Sequence, residues 1–136
     1  EEVTRPEDNE DIVGGSETIL LVEDEAAFLR MGKTMLEGLG YRVLFTSSPT
    51  EALRVAQHYE HPIDMLITDV IMPEMNGRAL AEKVQVVHPE LTSLYMSGYT
   101  ANVIAHRGVL DEGVHFMQKP FSLKKLASKV REVLDE

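Results

Sequence analysis

From residue 18 onward, short apolar runs alternate with longer stretches whose apolar residues recur at helical spacing. Thr18-Ile19-Leu20-Leu21-Val22 is a continuous apolar run, the pattern of a strand buried on both faces. Residues 25–39 follow, with Phe28, Met31, Met35, Leu36 and Leu39 spaced as on one helix, and Gly40 stands where a helix C-terminal glycine belongs. Tyr41 to Phe45 reads as a second strand. Ser48-Pro49-Thr50-Glu51 is a helix start: Ser48 caps, Pro49 fits the first helical position, and Glu51 closes a capping box. That helix carries Leu53, Val55 and Ala56 toward His58.

Ile63 to Thr68 reads as a third strand, ending at Asp69. Val70-Ile71-Met72-Pro73-Glu74-Met75-Asn76-Gly77 reads as a loop, because Pro73 and Asn76-Gly77 break regular structure. A helix with Leu80, Val84 and Val87 then runs toward Pro89, and Leu91 to Ser97 is a fourth strand. Gly98 opens a loop into a short helix around Thr100–His106, and Gly113 precedes a fifth strand, Val114 to Gln118. Ser122 caps a last helix with Leu123, Leu126, Ala127, Val130, Val133 and Leu134 on one stripe. Five strands alternating with five helices imply an α/β fold with a parallel sheet covered on both faces. In such sheets ligands sit beyond the carboxyl ends of the strands, at the point where the strand order reverses.

The first residues do not join this pattern. Residues 1–17 hold seven acids and one base, a net of −6 out of −10 for the whole chain, and the stretch closes on Gly14-Gly15-Ser16. The expected organisation is an acidic flexible linker over residues 1–16 and a folded domain over 17–136. With 13 basic against 23 acidic residues the chain has no positive footprint for nucleic acid. No apolar run approaches the roughly 20 residues of a membrane helix, so no direct membrane contact is expected. No signal-peptide pattern is present. The absence of cysteine excludes disulfides and thiolate metal sites and fits a reducing, cytoplasmic setting.

The polar residues fall at telling places. Four apolar strands each end in a polar group: Glu23-Asp24, Asp69, Ser97 and Lys119. In a parallel sheet those ends share one rim, so groups distant in sequence converge. Three carboxylates gathered there repel one another, and Mg²⁺, which takes oxygen ligands and keeps several waters, resolves that repulsion. A lysine and a hydroxyl beside them suit a phosphoryl group. Asp69 is the expected nucleophile, forming an acyl phosphate.

The segments Leu20-Leu21-Val22-Glu23-Asp24-Glu25, Thr68-Asp69-Val70-Ile71-Met72-Pro73-Glu74-Met75-Asn76-Gly77, Met96-Ser97-Gly98-Tyr99 and Lys119-Pro120-Phe121 together resemble the receiver domain of response regulators and hybrid histidine kinases, over about residues 17–136. The resemblance implies a flavodoxin-like, doubly wound (βα)₅ sheet in the order 2-1-3-4-5. It implies that Asp69 is the phosphorylation site and that Asp24, Asp69 and the backbone carbonyl of Ile71 ligate Mg²⁺, with Glu23 acting through a metal-bound water. Ser97 matches the hydroxyl position, Lys119 the lysine, and Phe116 the switch aromatic. A cis bond is implied between Lys119 and Pro120. Residues two places after the acceptor and the hydroxyl, here Ile71 and Tyr99, flank the water that hydrolyses the phosphate.

The style of these motifs, with Gly15-Ser16-Glu17-Thr18-Ile19-Leu20, resembles receivers attached to hybrid histidine kinases. The acidic linker would then follow a kinase catalytic domain, and no output domain is expected after the last helix. A stand-alone regulator is the competing arrangement. Expected partners are a histidine kinase or a histidine phosphotransfer domain. Expected chemistry is self-phosphorylation with slow autodephosphorylation, not classical turnover. A small Mg²⁺-dependent aspartyl-phosphate phosphatase is the alternative enzyme. It usually carries a second acid two residues after its nucleophile, where Ile71 stands. A scaffold that no longer takes phosphate is the third alternative, and the full acceptor set argues against it. The five histidines lack zinc-site spacing, the seven methionines read as core filler, and Gly98 reads as a backbone-clearance residue beside the phosphate.

Overall fold

The computed structural model describes residues 12–99, 104, 110 and 114–136. Its elements run β1 (Thr18–Val22), α1 (Ala26–Gly38), β2 (Arg42–Thr46), α2 (Pro49–His58), β3 (Met65–Asp69), α3 (Gly77–Val87), β4 (Thr92–Ser97), β5 (Phe116–Gln118) and α4 (Leu123–Leu134). The five strands form one sheet in the order β2-β1-β3-β4-β5, and every neighbouring pair is parallel. The expected doubly wound topology is therefore the one observed. The short helix expected around Thr100–His106, apart from Ile104, and the linker as far as residue 11 lie outside the described residues.

Both central strands are buried along their whole length, which is why their sequences are apolar without alternation. One face of the sheet packs Leu20, Val22 and Leu66 against Ala52 and Ala56 of α2 and Leu80 and Val84 of α3. The other packs Ile19, Leu21, Ile67 and Met96 against Leu36 of α1 and Leu126 and Val130 of α4. Each such fully buried Leu, Ile or Val contributes roughly 1.5–3 kcal/mol of transfer free energy. The chain passes from one face to the other between β2 and β3, so the order reverses between β1 and β3. The crevice at that reversal opens beyond Val22 and Asp69.

Local signals set the ends of the elements. Ser48 accepts from the Glu51 N–H with Pro49 at the first helical position, and Ser122 accepts from the Lys125 N–H. Gly40 has φ +102, and the amides of Gly40 and Tyr41 donate to the carbonyls of Glu37 and Leu36, closing α1 in a Schellman motif. Tyr41 therefore belongs to the helix stop, and β2 begins one residue later than its apolar pattern suggests. Asp64 likewise is not inside β3: its carboxylate accepts from the Thr18 N–H at 2.8 Å and ties the strand's approach to β1. Asn76, read as a helix breaker, caps α3 by accepting from the Ala79 N–H at 2.8 Å.

Candidate functional site

β1 delivers Glu23 and Asp24 to the rim, β3 delivers Asp69, β4 delivers Ser97, and the turn after β5 delivers Lys119. The structure brings all of them together. Carboxylate oxygens of Glu23, Asp24 and Asp69 lie within 4.8 Å of one another. The Lys119 ammonium is 2.8 Å from Glu23 Oε1 and 3.3 Å from Asp69 Oδ2. The Lys119–Pro120 peptide bond is cis, as the resemblance implies. Glu23 is fully buried, Asp69, Ser97 and Lys119 nearly so, and Asp24 is exposed at the mouth.

Backbone geometry supports each side chain. The Asp69 carbonyl is pressed against α3, and the Gly77 N–H donates to the Val70 carbonyl at 2.7 Å. Asp69 Oδ1 accepts from the Val70 N–H at 3.1 Å. Ser97 Oγ accepts from the Tyr99 N–H at 3.0 Å, and the Lys119 N–H donates to the Ser97 carbonyl at 2.8 Å. The cleft, about 490 Å³, is lined among others by Asp24, Asp69, Ile71, Ser97, Tyr99 and Lys119. A larger cleft of about 620 Å³ lies along β5 and α4, with Phe116 and Lys125 in its wall; it is separate from the acidic rim and holds none of Asp69, Glu23 or Asp24.

Electrostatics give the rim its character. Burial pushes the Asp69 carboxyl up to about 7, and the neighbouring Glu23 charge adds to this while Lys119 opposes it. Burial works to lower the Lys119 ammonium, but the hydrogen bond it donates to Glu23 and the Asp69 charge outweigh it and hold it above its ordinary value. One ammonium against the carboxylates of Glu23, Asp24 and Asp69 leaves an excess of negative charge, which a divalent cation would neutralise. The donor set, all oxygen and partly open to water, fits Mg²⁺ rather than zinc.

Three contributors were not singled out in the sequence. Glu25 brings a third carboxylate 4.0 Å from Lys119, and the Phe28 ring lies 4.6 Å from the same ammonium in a cation–π contact. Phe28 was readable only as one more apolar helical position. Gly77 was visible as a turn signal, yet its role is close approach: a Cβ there would come within 2.3 Å of the Asp69 carbonyl oxygen. Of the residues singled out, Phe116 does not reach the rim; it is half-buried against the cluster under α2 and α3.

A doubly wound α/β domain with its chemistry gathered around one aspartate at the switch point defines a narrow class of proteins. Residues 19–131 match the response regulator receiver domain family, and the chain belongs to it. Over 124 residues the chain is 38% identical to the sensor kinase CckA of Brucella abortus (strain 2308), an alignment that covers 91% of this chain and 13% of that protein. It is 30% identical over 116 residues to the response regulator receiver protein CpdR of the same organism, covering 85% of this chain and 95% of CpdR. Among solved structures, the receiver domain of the hybrid histidine kinase CckA matches with a TM-score of 0.72 at 35% identity, covering 86% of this chain and 98% of that one. Vibrio cholerae CheY4 matches with a TM-score of 0.76 at 25% identity, covering 88% and 99%. No helix among the described residues is long and apolar enough to cross a membrane.

Proposed function

We propose that this receiver domain is the phosphoacceptor of a two-component phosphorelay, taking a phosphoryl group from a phosphohistidine onto Asp69. The observation that carries this reading is the Lys119 ammonium held 3.3 Å from an Asp69 carboxylate that also shares a 4.8 Å cluster with Glu23 and Asp24. An Asp69 oxygen attacks phosphorus, the P–N bond to the imidazole breaks, and the freed ring nitrogen takes up a proton. Lys119, the Ser97 hydroxyl and the Val70 N–H surround the place where the phosphoryl oxygens arrive. Glu23, Asp24, Asp69 and the Ile71 carbonyl would hold Mg²⁺, which supplies neutralisation of the converging negative charge. Drawing the Ser97 hydroxyl onto the phosphate breaks its bond from Tyr99 and opens room toward Phe116, biasing a two-state surface at β4 and β5.

The similarity to CckA supports a place in a hybrid histidine kinase, with residues 17–136 as the receiver domain and 1–16 joining it to the preceding part. The partners are then a histidine kinase or a histidine phosphotransfer domain, and the setting is the cytoplasm, including the cytoplasmic end of a membrane-anchored kinase. The alignment along 95% of CpdR favours a stand-alone regulator as the second reading. Incubation with Mg²⁺ and acetyl phosphate, followed by intact mass, tests the chemistry. One acid-stable, base-labile phosphoryl group is expected, lost in Asp69→Asn and much reduced in Asp24→Asn. Phosphate release without an adduct would mark a phosphatase, and no adduct at all a scaffold.

A further inference from the structure

The glycine pair ahead of β1 has the composition of a flexible joint, but the structure packs it tightly. The Gly15 N–H donates to the Leu39 carbonyl at 3.1 Å. A Cβ on Gly14 would lie 1.9 Å from the Leu39 carbonyl oxygen, and one on Gly15 would lie 2.4 Å from Arg131 Nη1 and 2.8 Å from the Tyr41 ring. The opposing Gly40, at φ +102, leaves no room either: a Cβ there would meet the Gly15 carbonyl oxygen at 2.5 Å. Gly14 and Gly40 have no room for a side chain because backbone lies against them, while Gly15 sits under the side chains of Arg131, Glu17 and Tyr41.

A charged fork closes over the same place. Arg131, on the last turns of α4, donates from Nη1 to Glu17 Oε1 at 2.9 Å and from Nη2 to Glu17 Oε2 at 3.1 Å. The same guanidinium donates to the Tyr41 hydroxyl at 3.3 Å and reaches Asp135 one turn further on. Tyr41 itself is buried. The planar fork of arginine matches a carboxylate in two parallel bonds, a geometry a single point charge does not hold. Glu17 directly precedes Thr18, so the pair ties the first residue of the sheet to the final helix.

We infer that residues 14–17 form a clasp joining the entry of β1 to the last turn of α4, so that the polypeptide enters the domain along one fixed direction instead of swinging on glycine joints. The clasp lies at the amino end of β1, and Asp69 lies at the carboxyl end of β3, so the junction and the acceptor occupy opposite edges of the sheet. A rigid junction sets which orientations are open to a module preceding this domain in one polypeptide, and a stiff connection changes effective concentration as strongly as its length does. Any shift of α4 is then felt at the entry of the chain.

The chain has no cysteine, so one introduced at the exposed Val13 takes a nitroxide label at a single site. In Val13→Cys of the full chain, a slow-motion electron paramagnetic resonance line shape is expected. Adding Arg131→Met or Gly14→Ala should convert it to the fast component, while thermal unfolding stays cooperative and Asp69 still takes phosphate from acetyl phosphate at a rate within about twofold, because neither residue touches the rim. A second measurement needs no variant: in the unlabelled parent the Gly15 amide should exchange with deuterium at least about tenfold more slowly than an unstructured peptide. A fast line shape in the parent, an unchanged spectrum in both variants, or an unprotected Gly15 amide overturns the clasp.

Discussion

The Lys119 ammonium is closer to Glu23, at 2.8 Å, than to Asp69, at 3.3 Å. Its first partner is thus a fully buried carboxylate whose other oxygen accepts from the Glu25 N–H at 2.9 Å. Glu23 holds the lysine at the rim, and Asp69 faces a cation already anchored from behind.

That arrangement makes the pair interdependent. Lys119→Met leaves Glu23 charged, buried and without its cation, and should cost about 3 kcal/mol in urea unfolding. Adding Glu23→Gln should recover much of that loss, because the orphaned charge is gone. Phosphorylation should not recover, since the ammonium facing Asp69 is still missing. Strictly additive stabilities across the four proteins would show that the two residues are not coupled.

The raised Asp69 carboxyl has a consequence for stability. Its folded value, about 7, lies above its ordinary value of 3.8, so its contribution is fully present below the unfolded value and is lost as pH rises through the folded one. Asp69→Asn should therefore match the parent near pH 4 and exceed it near pH 8. The gap should be on the order of 2 kcal/mol, reduced from the full linkage because water reaches the cleft. Mg²⁺ should raise the melting temperature of the parent at pH 8 and close much of the gap. A variant no more stable than the parent at pH 8 would show that the rim carries no such repulsion.

Gly77 packs against the Asp69 carbonyl and Gly98 lines the same cleft as Asp69, and the two should respond differently. In a helix, alanine is favoured over glycine by about 1 kcal/mol. At Gly77, however, a Cβ would sit 2.3 Å from the Asp69 backbone oxygen, and backbone cannot yield as a side-chain tip can. Gly77→Ala should destabilise by about 2 kcal/mol and slow phosphorylation by displacing Asp69. At Gly98 a Cβ meets nothing within 4 Å among the described residues, so Gly98→Ala should change unfolding by less than about 0.5 kcal/mol. Unfolding curves of the two variants decide it. Equal effects would show that the Gly77 contact is not limiting.

These cases show where the sequence was legible. The sheet order followed from apolar strands and the family motifs, and two helix starts and one helix stop followed from Ser48, Ser122 and Gly40, because such signals act over a few residues. The convergence of Glu23, Asp24, Asp69, Ser97 and Lys119 was legible because a parallel sheet puts all its carboxyl ends on one rim. Contacts that depend on side-chain reach across the fold were not. Nothing in the sequence pairs Glu23 with Lys119, 96 residues away, or seats Phe28 against the same ammonium. The composition of Gly14-Gly15 signals freedom of motion, and only their neighbours show that they serve close approach.

On the proposed function, the lifetime of the phosphorylated state is expected to depend on two side chains at the mouth of the cleft. Ile71 and Tyr99 both line it and are about half exposed, at 50% and 51%. Hydrolysis of an acyl phosphate needs a water in line with the P–O bond, arriving from the open side of the cleft past these two residues. Ile71 is branched and apolar and offers that water no hydrogen bond. Tyr99 is bulky and lines the same cleft, and obstruction of the water is expected to outweigh any help from its hydroxyl. An orienting hydrogen bond worth about 1.4 kcal/mol in the transition state corresponds to about a tenfold rate difference. Phospho-Asp69 should therefore decay slowly, over minutes or longer, as suits storage for onward transfer. The double variant Ile71→Asn, Tyr99→Glu supplies polar groups on both sides of the water and should decay about tenfold faster or more, with Mg²⁺-dependent phosphorylation retained. Loss of phosphate from the parent within seconds, or a double variant that decays no faster, would show that these side chains do not control access.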